Sequence, residues 1–453
     1  MNQLQDARTL ISRALQLCDP TMTQIRRIEA IAQEAKELVE RKVAHMADVV
    51  EVLFGGSFAK GTWLPNNADI DIFVKIRTSV DNEKFEEMGI DIGKKALIKY
   101  GPKLRYSDHP YVEAFVRKIR VNVVPCYDVE QGKWKSAADR SPFHTLYMKS
   151  QLDDEKRRQA RLLKKFFKTL CIYGAELSTA GFSGYVTEVL VLKYGSFENV
   201  LQAAADWHEK EVIAVSEYDP DFVNLFNSPI AIIDPVDNRR NLGAAISAES
   251  VAKFMLASRE FLERPSLEFF SENNSHDKPV HVLLPNVLVV EFSHPRKSPD
   301  VLWGQLKRGM NSLSKQLELG HFSVLRRECL TDEITSAAIV FLLDSMKLPS
   351  YMKRIGPQVY RRKDSDSFLR NRDNPYAVWV DREMRISLLV DRKTTDARKL
   401  VRSLLLNDAD KSGVPRNLVG HKVQIYAGDD RKIKGVVKQA VDKVVSTERL
   451  VFR

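Results

Sequence analysis

The stretch Phe54-Gly55-Gly56-Ser57-Phe58-Ala59-Lys60-Gly61-Thr62-Trp63-Leu64, followed by Asp69-Ile70-Asp71-Ile72-Phe73-Val74, concentrates residue types that handle phosphate and metal. A Gly-Gly-Ser turn leaving a strand lets backbone N–H groups and the Ser57 hydroxyl approach an anion with no Cβ at Gly56 in the way. A helix starting there adds its dipole. The spacing is not the G-x-x-x-x-G-K-[ST] of a P-loop, which disfavours a Walker-type ATPase. Residues two apart in a strand face the same side, so Asp69 and Asp71 project together while Ile70 and Ile72 point into a core. Two carboxylates held that close repel, and a shared divalent cation relieves the repulsion; magnesium is the natural choice where phosphates meet the same oxygens. Singly, each half has an ordinary explanation, since Gly-Gly-Ser is usually a turn and Asp-x-Asp often a solvated strand face. In series, strand, turn, short helix and carboxylate strand read as a phosphate and metal site.

Several elements must position that site. Residues 21 to 50 read as a helix, with Thr21 and Gln24 at capping-box spacing and an apolar stripe of Ile25, Ile28, Ala32, Ala35, Val39 and Val43. Strand-type runs follow at Val49 to Phe54, Asp69 to Ile76 and Val121 to Tyr127, with helical sequence from Glu83 to Tyr100. From Asp153 to about Glu263 the pattern is helical, with Leu162, Leu163, Phe166, Phe167 and Leu170 on one face and Gly174 as the stop. Pro265 and the polar run Ser271 to Lys278 mark a boundary. Beyond it, Val287 to Phe292 and Ile339 to Leu343 are β-rich, Val301 to Leu319 is an amphipathic helix, Val378 to Val390 a hairpin, and Thr395 to Leu406 a helix. This last part reads as a sheet with helices on one face, ending in strand-like runs at Val423 to Tyr426 and Lys434 to Val437.

At 453 residues the chain exceeds one ordinary core, which predicts three or four units. The boundaries expected are 1–150 for an α/β or α+β catalytic part, 151–265 for a helical part and 266–453 for a second α+β part. The charge of +10 favours an anionic partner, and 14 Lys or Arg against 7 Asp or Glu between Tyr351 and Arg402 account for +7 of it. Tyr351, Tyr360, Phe368, Tyr376 and Trp379 are interleaved there, as contact with phosphates and unpaired bases would require; taken alone, the stretch also fits a solvated face with core aromatics. The four cysteines show no metal or disulfide spacing, and no apolar run approaches the ~18 residues of a membrane span. A cytoplasmic protein is expected.

The Gly-Gly-Ser and Asp-x-Asp series resembles the nucleotidyltransferase fold shared with DNA polymerase β, and more narrowly the archaeal-type class I CCA-adding enzymes. Asp108-His109-Pro110-Tyr111-Val112, Val123-Val124-Pro125-Cys126-Tyr127, Ser141-Pro142-Phe143-His144, Ile172-Tyr173-Gly174-Ala175-Glu176, Gly181-Phe182-Ser183-Gly184-Tyr185 and Asp234-Pro235-Val236-Asp237 are similar to that family, as are Gly356-Pro357-Gln358 and Arg370-Asn371-Arg372. The similarity runs in order along nearly the whole chain and thins after about residue 400. It implies an α+β multidomain fold: a polymerase β-like palm, a helical central domain and an RRM-like C-terminal α+β domain. The implied activity is untemplated addition of C, C and A to the tRNA 3′ end from CTP and ATP. Two magnesium ions at Asp69, Asp71 and the position of Asn122 would assist it.

By the same resemblance Gly56, Ser57 and Lys60 form the phosphate loop, Lys60 standing where the family has arginine. His144, Lys164 and Tyr173 contact the triphosphate, and Arg240 reads the base edge. Each has a plainer explanation: a buried hydrogen-bonded histidine, one member of a basic face with Arg157, Arg158, Arg161 and Lys165, a tyrosine packed at a helix end, and a surface charge beside Arg239. The tRNA 3′ end and acceptor arm are the implied partner, and a homodimer is compatible with the family.

One position departs from the pattern. Where the family carries a third carboxylate, this chain has Asn122, which can offer a carbonyl to a metal but no charge and no base. A tight hairpin placing Ala114 opposite Asn122 would turn Glu113 to the wrong face, leaving no substitute acid. Two explanations stay open, an introduced aspartate-to-asparagine change that slows turnover and a homologue with lost or altered catalysis. Two other functions fit the same motifs, an A-only poly(A) or oligoadenylate-type polymerase and a tRNA-binding protein with a decayed site.

Overall fold

The computed structural model describes all residues except 1, 107–109, 272–276, 372–373, 408–411 and 453, and side chains from residue 9 onward. Asp108, His109 and Arg372 of the motifs above lie outside the described residues. Contacts gather the chain into two units, Met1–His276 with Glu448–Arg453, and Asp277–Thr447.

The first unit begins with α1 (Asn2–Cys18) and α2 (Met22–Val43). Thr21 accepts the Gln24 N–H at 3.3 Å and its own N–H goes to the Gln24 side chain at 2.8 Å, so the expected capping box is formed. The helix ends at Val43, short of residue 50, because Val49 onward pairs into a sheet. Then come β1 (Val49–Gly55), α3 (Gly56–Lys60), β2 (Asp69–Ile76), α4 (Asn82–Ala96), β3 (Lys103–Tyr106), β4 (Pro110–Val116) and β5 (Ile119–Tyr127). The sheet order is β1-β2-β5-β4-β3, with β2 and β5 parallel and the other pairs antiparallel.

Alternation decides the faces of this sheet. Ile70, Ile72, Val121 and Val123 are fully buried against Ile31 of α2 and Phe85 and Ile92 of α4. A Cβ on Gly89 or Gly93 would lie 2.5 Å from the side chain of Pro125 or Val112, so α4 rests close on the sheet because both positions are glycine. The opposite face carries Asp69 and Asp71.

The same unit continues with α5 (Arg140–Gln151), α6 (Asp154–Thr169), α7 (Gly184–Tyr194), α8 (Phe197–Ala205), β6 (Glu211–Ile213), α9 (Pro220–Val223), β7 (Ile230–Ile232) and α10 (Ala248–Glu263). Helix α6 stops before Gly174. Cys171 takes the left-handed conformation at φ 57°, and the Ile172 N–H reaches back to the Phe167 carbonyl at 3.0 Å, the closure a glycine usually provides. The core here is aromatic: Phe166 lies fully buried, with Phe197, Phe254, Phe261, Phe269 and Phe270 around it at centroid distances of 5.3 to 6.3 Å. Leu450 and Val451 from the chain end pack into the same core.

The second unit contains β8 (Val287–Ser293), α11 (Pro299–Leu319), β9 (Val324–Thr331), β10 (Ser336–Leu343), β11 (Tyr351–Gln358), α12 (Arg362–Arg370), β12 (Ala377–Val380), β13 (Arg385–Asp391), α13 (Ala397–Leu406) and β14 (Val423–Ala427). Strands in the order β14-β8-β10-β9 form one antiparallel sheet, and β11-β13-β12 a second; β12 and β13 make the expected hairpin. The four-stranded sheet is covered on both faces, not one. Leu288, Val290 and Phe292 meet α11 and α13, while Val287 and Val289 meet the C-terminal helix Gly435–Val444. That helix corrects the reading of Lys434 to Val437 as a strand. Four residues cannot separate the two periods, and the burial of Val437, Ala440, Val441 and Val444 shows the helical one.

Truncating Phe166 to alanine removes the ring at the centre of the aromatic core and is expected to destabilise the first unit by about 3–5 kcal/mol. Denaturant unfolding followed by tryptophan fluorescence measures it, and a loss below ~1 kcal/mol contradicts this account of the core.

Candidate active site

The turn between β1 and α3 is shaped by what stands opposite it. Gly55 pairs with Asp71 across the β1–β2 ladder, and Gly56 follows at φ +62°. A Cβ at Gly56 would sit 1.9 Å from Asp71 Oδ2, so only glycine leaves room for that carboxylate. Ser57 lies in the first turn of α3, and its carbonyl takes the Thr62 N–H at 3.0 Å.

Parallel pairing of β2 with β5 sets Asp69 opposite Arg120 and Asp71 opposite Asn122. Arg120 grips Asp69 with both arms of its guanidinium, Nε to Oδ1 at 2.9 Å and Nη2 to Oδ2. Asn122 Nδ2 donates to Asp71 Oδ1 at 2.9 Å, leaving Asn122 Oδ1 buried without a hydrogen-bond partner. Burial raises the Asp71 carboxyl above its usual value, the Asn122 hydrogen bond opposes this, and repulsion from Asp69 adds to it. A half-buried carboxylate with no ion-pair partner, beside an orphaned carbonyl oxygen, fits a bound cation. Among the described residues no group of three His, Cys, Asp or Glu is arranged as a metal cage.

The hairpin register corrects the sequence reading of Glu113. Asn122 stands opposite Glu113, not Ala114, so Glu113 faces the same side as the aspartates. The turn consists of Arg117 and Lys118 alone, both at positive φ, which joins Val116 directly to Ile119 and moves the pairing by one. Glu113 is held by Arg105 at 2.8 Å.

A second cluster joins α3 to α6 and α7. Glu188, fully buried in α7, accepts from Lys60 Nζ at 2.5 Å and from the Thr62 hydroxyl. Lys164, 3% exposed, donates to the Thr62 carbonyl at 2.7 Å. Its ammonium is lowered to about 8, by burial foremost, with Glu188 opposing and Lys60, Lys168 and Arg161 adding. Tyr173 places its ring 5.9 Å from Lys164 Nζ; its hydroxyl is raised by burial and by the negative charges of Glu188, Asp69, Glu176 and Asp71. Lys60, expected to face phosphate, is therefore tied to Glu188, and phosphate contact requires that pair to open.

The third cluster centres on Asp234. His144 Nε2 lies 2.8 Å from Asp234 Oδ2, Tyr185 donates to Oδ1 at 3.2 Å, and Arg240 Nη1 reaches Oδ2 at 3.5 Å. His144 stacks on Tyr185 at 3.9 Å, and Lys60 lies 5.4 Å from the same ring. Burial lowers His144 despite Asp234, which favours the neutral imidazole. Arg239 and Arg240 both line an open cleft of about 1070 Å³ with Trp134 and Arg140, but Arg240 is the one drawn to Asp234. A cleft of about 1120 Å³ along Lys36, Phe54, Phe58 and Arg157 contains none of Asp69, Asp71 or Asn122, so cavity size does not locate the chemistry.

Glu188, Thr62, Asp234, Tyr185 and Arg120 were not singled out from the sequence. Glu188 carries a usable signal, a lone carboxylate inside the apolar run Val186, Val189, Leu190, Val191. Arg120 carries none. In the second unit, Tyr351, Tyr360 and Tyr376 are exposed as a nucleic-acid surface would have them, Lys353 lies 5.8 Å from the Trp379 ring, and Phe368 instead packs beneath Arg354. No described helix is long and apolar enough to cross a membrane.

Three family models match the chain in succession: "Nucleotidyltransferase domain" over residues 31–144, "tRNA nucleotidyltransferase, second domain" over 158–271 and "CCA-adding enzyme, C-terminal domain" over 285–419. A CCA-adding enzyme of Pyrobaculum neutrophilum is 37% identical over 361 residues, 79% of this chain and 84% of that protein. One from Methanothermobacter thermautotrophicus is 33% identical, covering 87% of each chain. One from Saccharolobus shibatae is 34% identical over 86% of this chain and 90% of its own.

Glu188→Gln leaves Lys60 as a buried charge without its counterion and is expected to cost about 3–5 kcal/mol in unfolding experiments. Adding Lys60→Met to that variant should restore most of the loss; equal stability of the single and double variants refutes the pairing.

Proposed function

Because the chain belongs to the archaeal-type CCA-adding enzymes, tRNA nucleotidyltransferases of the polymerase β-like superfamily, we infer that it adds C, C and A in turn to the 3′ end of tRNA from CTP and ATP. The observation that carries this is the run of three family models in their order, with Asp69 and Asp71 presented on one face beside the Gly56 turn. The tRNA terminal oxygen forms a bond to the α-phosphorus, the bond to the leaving phosphate oxygen breaks, pyrophosphate departs, and the hydroxyl proton passes to solvent. Asp69, Asp71 and the Asn122 carbonyl are the groups that would hold a divalent cation such as magnesium, which would neutralise the triphosphate and lower the pKa of the attacking hydroxyl.

The residues divide this work by position. Backbone N–H groups at Gly56 and Ser57, with the Ser57 hydroxyl, receive phosphate oxygens at a turn that Asp71 keeps free of side chain. Lys164 and Tyr173 supply charge and a hydroxyl to the triphosphate. Neutral His144 gives its Nε2–H to Asp234, which fixes the ring and holds Arg240 toward the base edge, and its Nδ1 accepts at the nucleotide. Asn122 can offer a metal its carbonyl but cannot act as a base. Lys60 holds α3 against α7 through Glu188. The exposed tyrosines and basic residues from Tyr351 to Arg402 are the surface for tRNA phosphates and unpaired bases, recognised by shape, since every tRNA must be served.

A tRNA transcript ending at its discriminator base should gain two residues when CTP is the sole nucleotide and a third when ATP is added, as resolved on sequencing gels. Extension by ATP alone, with none by CTP, would favour an A-only polymerase. The pH dependence of nucleotide binding tests Lys164. In the free protein its ammonium sits at about 8, and a bound triphosphate raises it, so binding takes up a proton above that pH. CTP affinity is then full below about pH 8 and falls as pH rises through it, by up to about tenfold per unit. Calorimetry on both sides of that pH measures the slope, and Lys164→Met should flatten it.

A further inference from the structure

Three carboxylates share the face formed by β2, β5 and β4, and their partners differ. Glu113 accepts from Arg105 Nε and Nη2 at 3.0 and 2.8 Å. Asp69 has both oxygens on the Arg120 guanidinium, the fork geometry that best matches a carboxylate. Asp71 differs from both, for among the described residues no Lys or Arg forms an ion pair with it. Arg120 and Lys60 lie near enough to act on it electrostatically, but Arg120 is bonded to Asp69 and Lys60 is held by Glu188 at 2.5 Å. What Asp71 has is the Asn122 amide, whose Nδ2 it accepts at 2.9 Å and whose Oδ1 is buried with no partner.

We propose, resting on the reading above, that Arg120 occupies the place of one of the two metal ions, so that this site takes a single divalent cation at Asp71, the Asn122 amide turning from its Nδ2 bond to offer that ion its carbonyl oxygen. The two β5 residues act together. Asn122 removes a negative charge that a carboxylate would bring, and Arg120 adds a permanent positive one that cannot be titrated away. Asp69, Asp71, Asn122 and Arg120 therefore sum to one negative charge, where three carboxylates without the arginine carry three. Strand register makes this durable, because Arg120 stands opposite Asp69 and Asn122 opposite Asp71 in the same parallel ladder. A cation approaching Asp69 must displace a bidentate guanidinium, whereas one approaching Asp71 meets a carboxylate with no ion-pair partner and an oxygen with no other use. Arg120 thus positions Asp69 and neutralises it, leaving the ion at Asp71 to meet the nucleotide.

The test counts manganese(II) ions on the full chain without nucleotide, by the loss of the free-ion electron paramagnetic resonance signal. The unaltered chain is expected to bind one ion, Asp71→Asn none, and Arg120→Lys one. Asn122→Asp should bind one ion at least about tenfold tighter, through the added charge. The pair Arg120→Ala with Asn122→Asp should bind two. Two equivalent ions on the unaltered chain, two on Asn122→Asp alone, or one on the folded double variant each overturn the proposal. Extension of tRNA is assayed beside it, so that a chain which extends tRNA while binding two ions loses only this inference. A chain that binds one ion and extends no tRNA loses the functional reading instead.

Discussion

The parallel pairing of β2 with β5 is the constraint on which the site depends. It brings together residues fifty-one apart in sequence, Asp69 with Arg120 and Asp71 with Asn122, and it fixes them two rungs apart, on a single face. The opposite face of the same two strands is fully buried under α2 and α4, so neither strand can slip by one residue without turning carboxylates into the core. Apolar burial on one side thereby sets electrostatic geometry on the other. Gly56 completes the arrangement from β1, since its missing side chain is the space that Asp71 occupies.

Burial also explains why the helical part matters to the phosphate turn. Glu188 lies in the middle of an otherwise apolar helix, and a lone carboxylate there would be costly. It is accommodated because Lys60 and Thr62 reach it from the far side of α3, and Lys164 caps the same Thr62 through its carbonyl. The Gly56 turn is therefore anchored by charges that only the helical elements supply. Asp234 plays a parallel part, gathering His144, Tyr185 and Arg240 around one carboxylate.

Charge on the carboxylate face is balanced from β5. Each aspartate has a neighbour on β5, a guanidinium for one and an amide for the other, and neither neighbour adds negative charge to the face. Glu113 lies on that face as well, but its bond to Arg105 commits it to the outer strands.

Much of this was written in residue order. The capping box at Thr21, the strands at 69–76 and 287–293, the hairpin before α13 and the Gly-Gly-Ser and Asp-x-Asp series all follow from local period and residue type, which act over a few residues. What the sequence could not decide were matters of pairing. The side of Glu113 depended on a two-residue turn made of Arg117 and Lys118, which carry none of the usual glycine or asparagine signal. The helix at Gly435–Val444 was hidden because a four-residue apolar run fits either period until the sheet it covers is known. Arg120 on Asp69, Lys60 on Glu188 and Arg240 on Asp234 were likewise invisible, since a charge acquires its role from the partner that distant chain brings to it. Local chemistry specified which groups the site contains; the tertiary structure alone decided which of them meet.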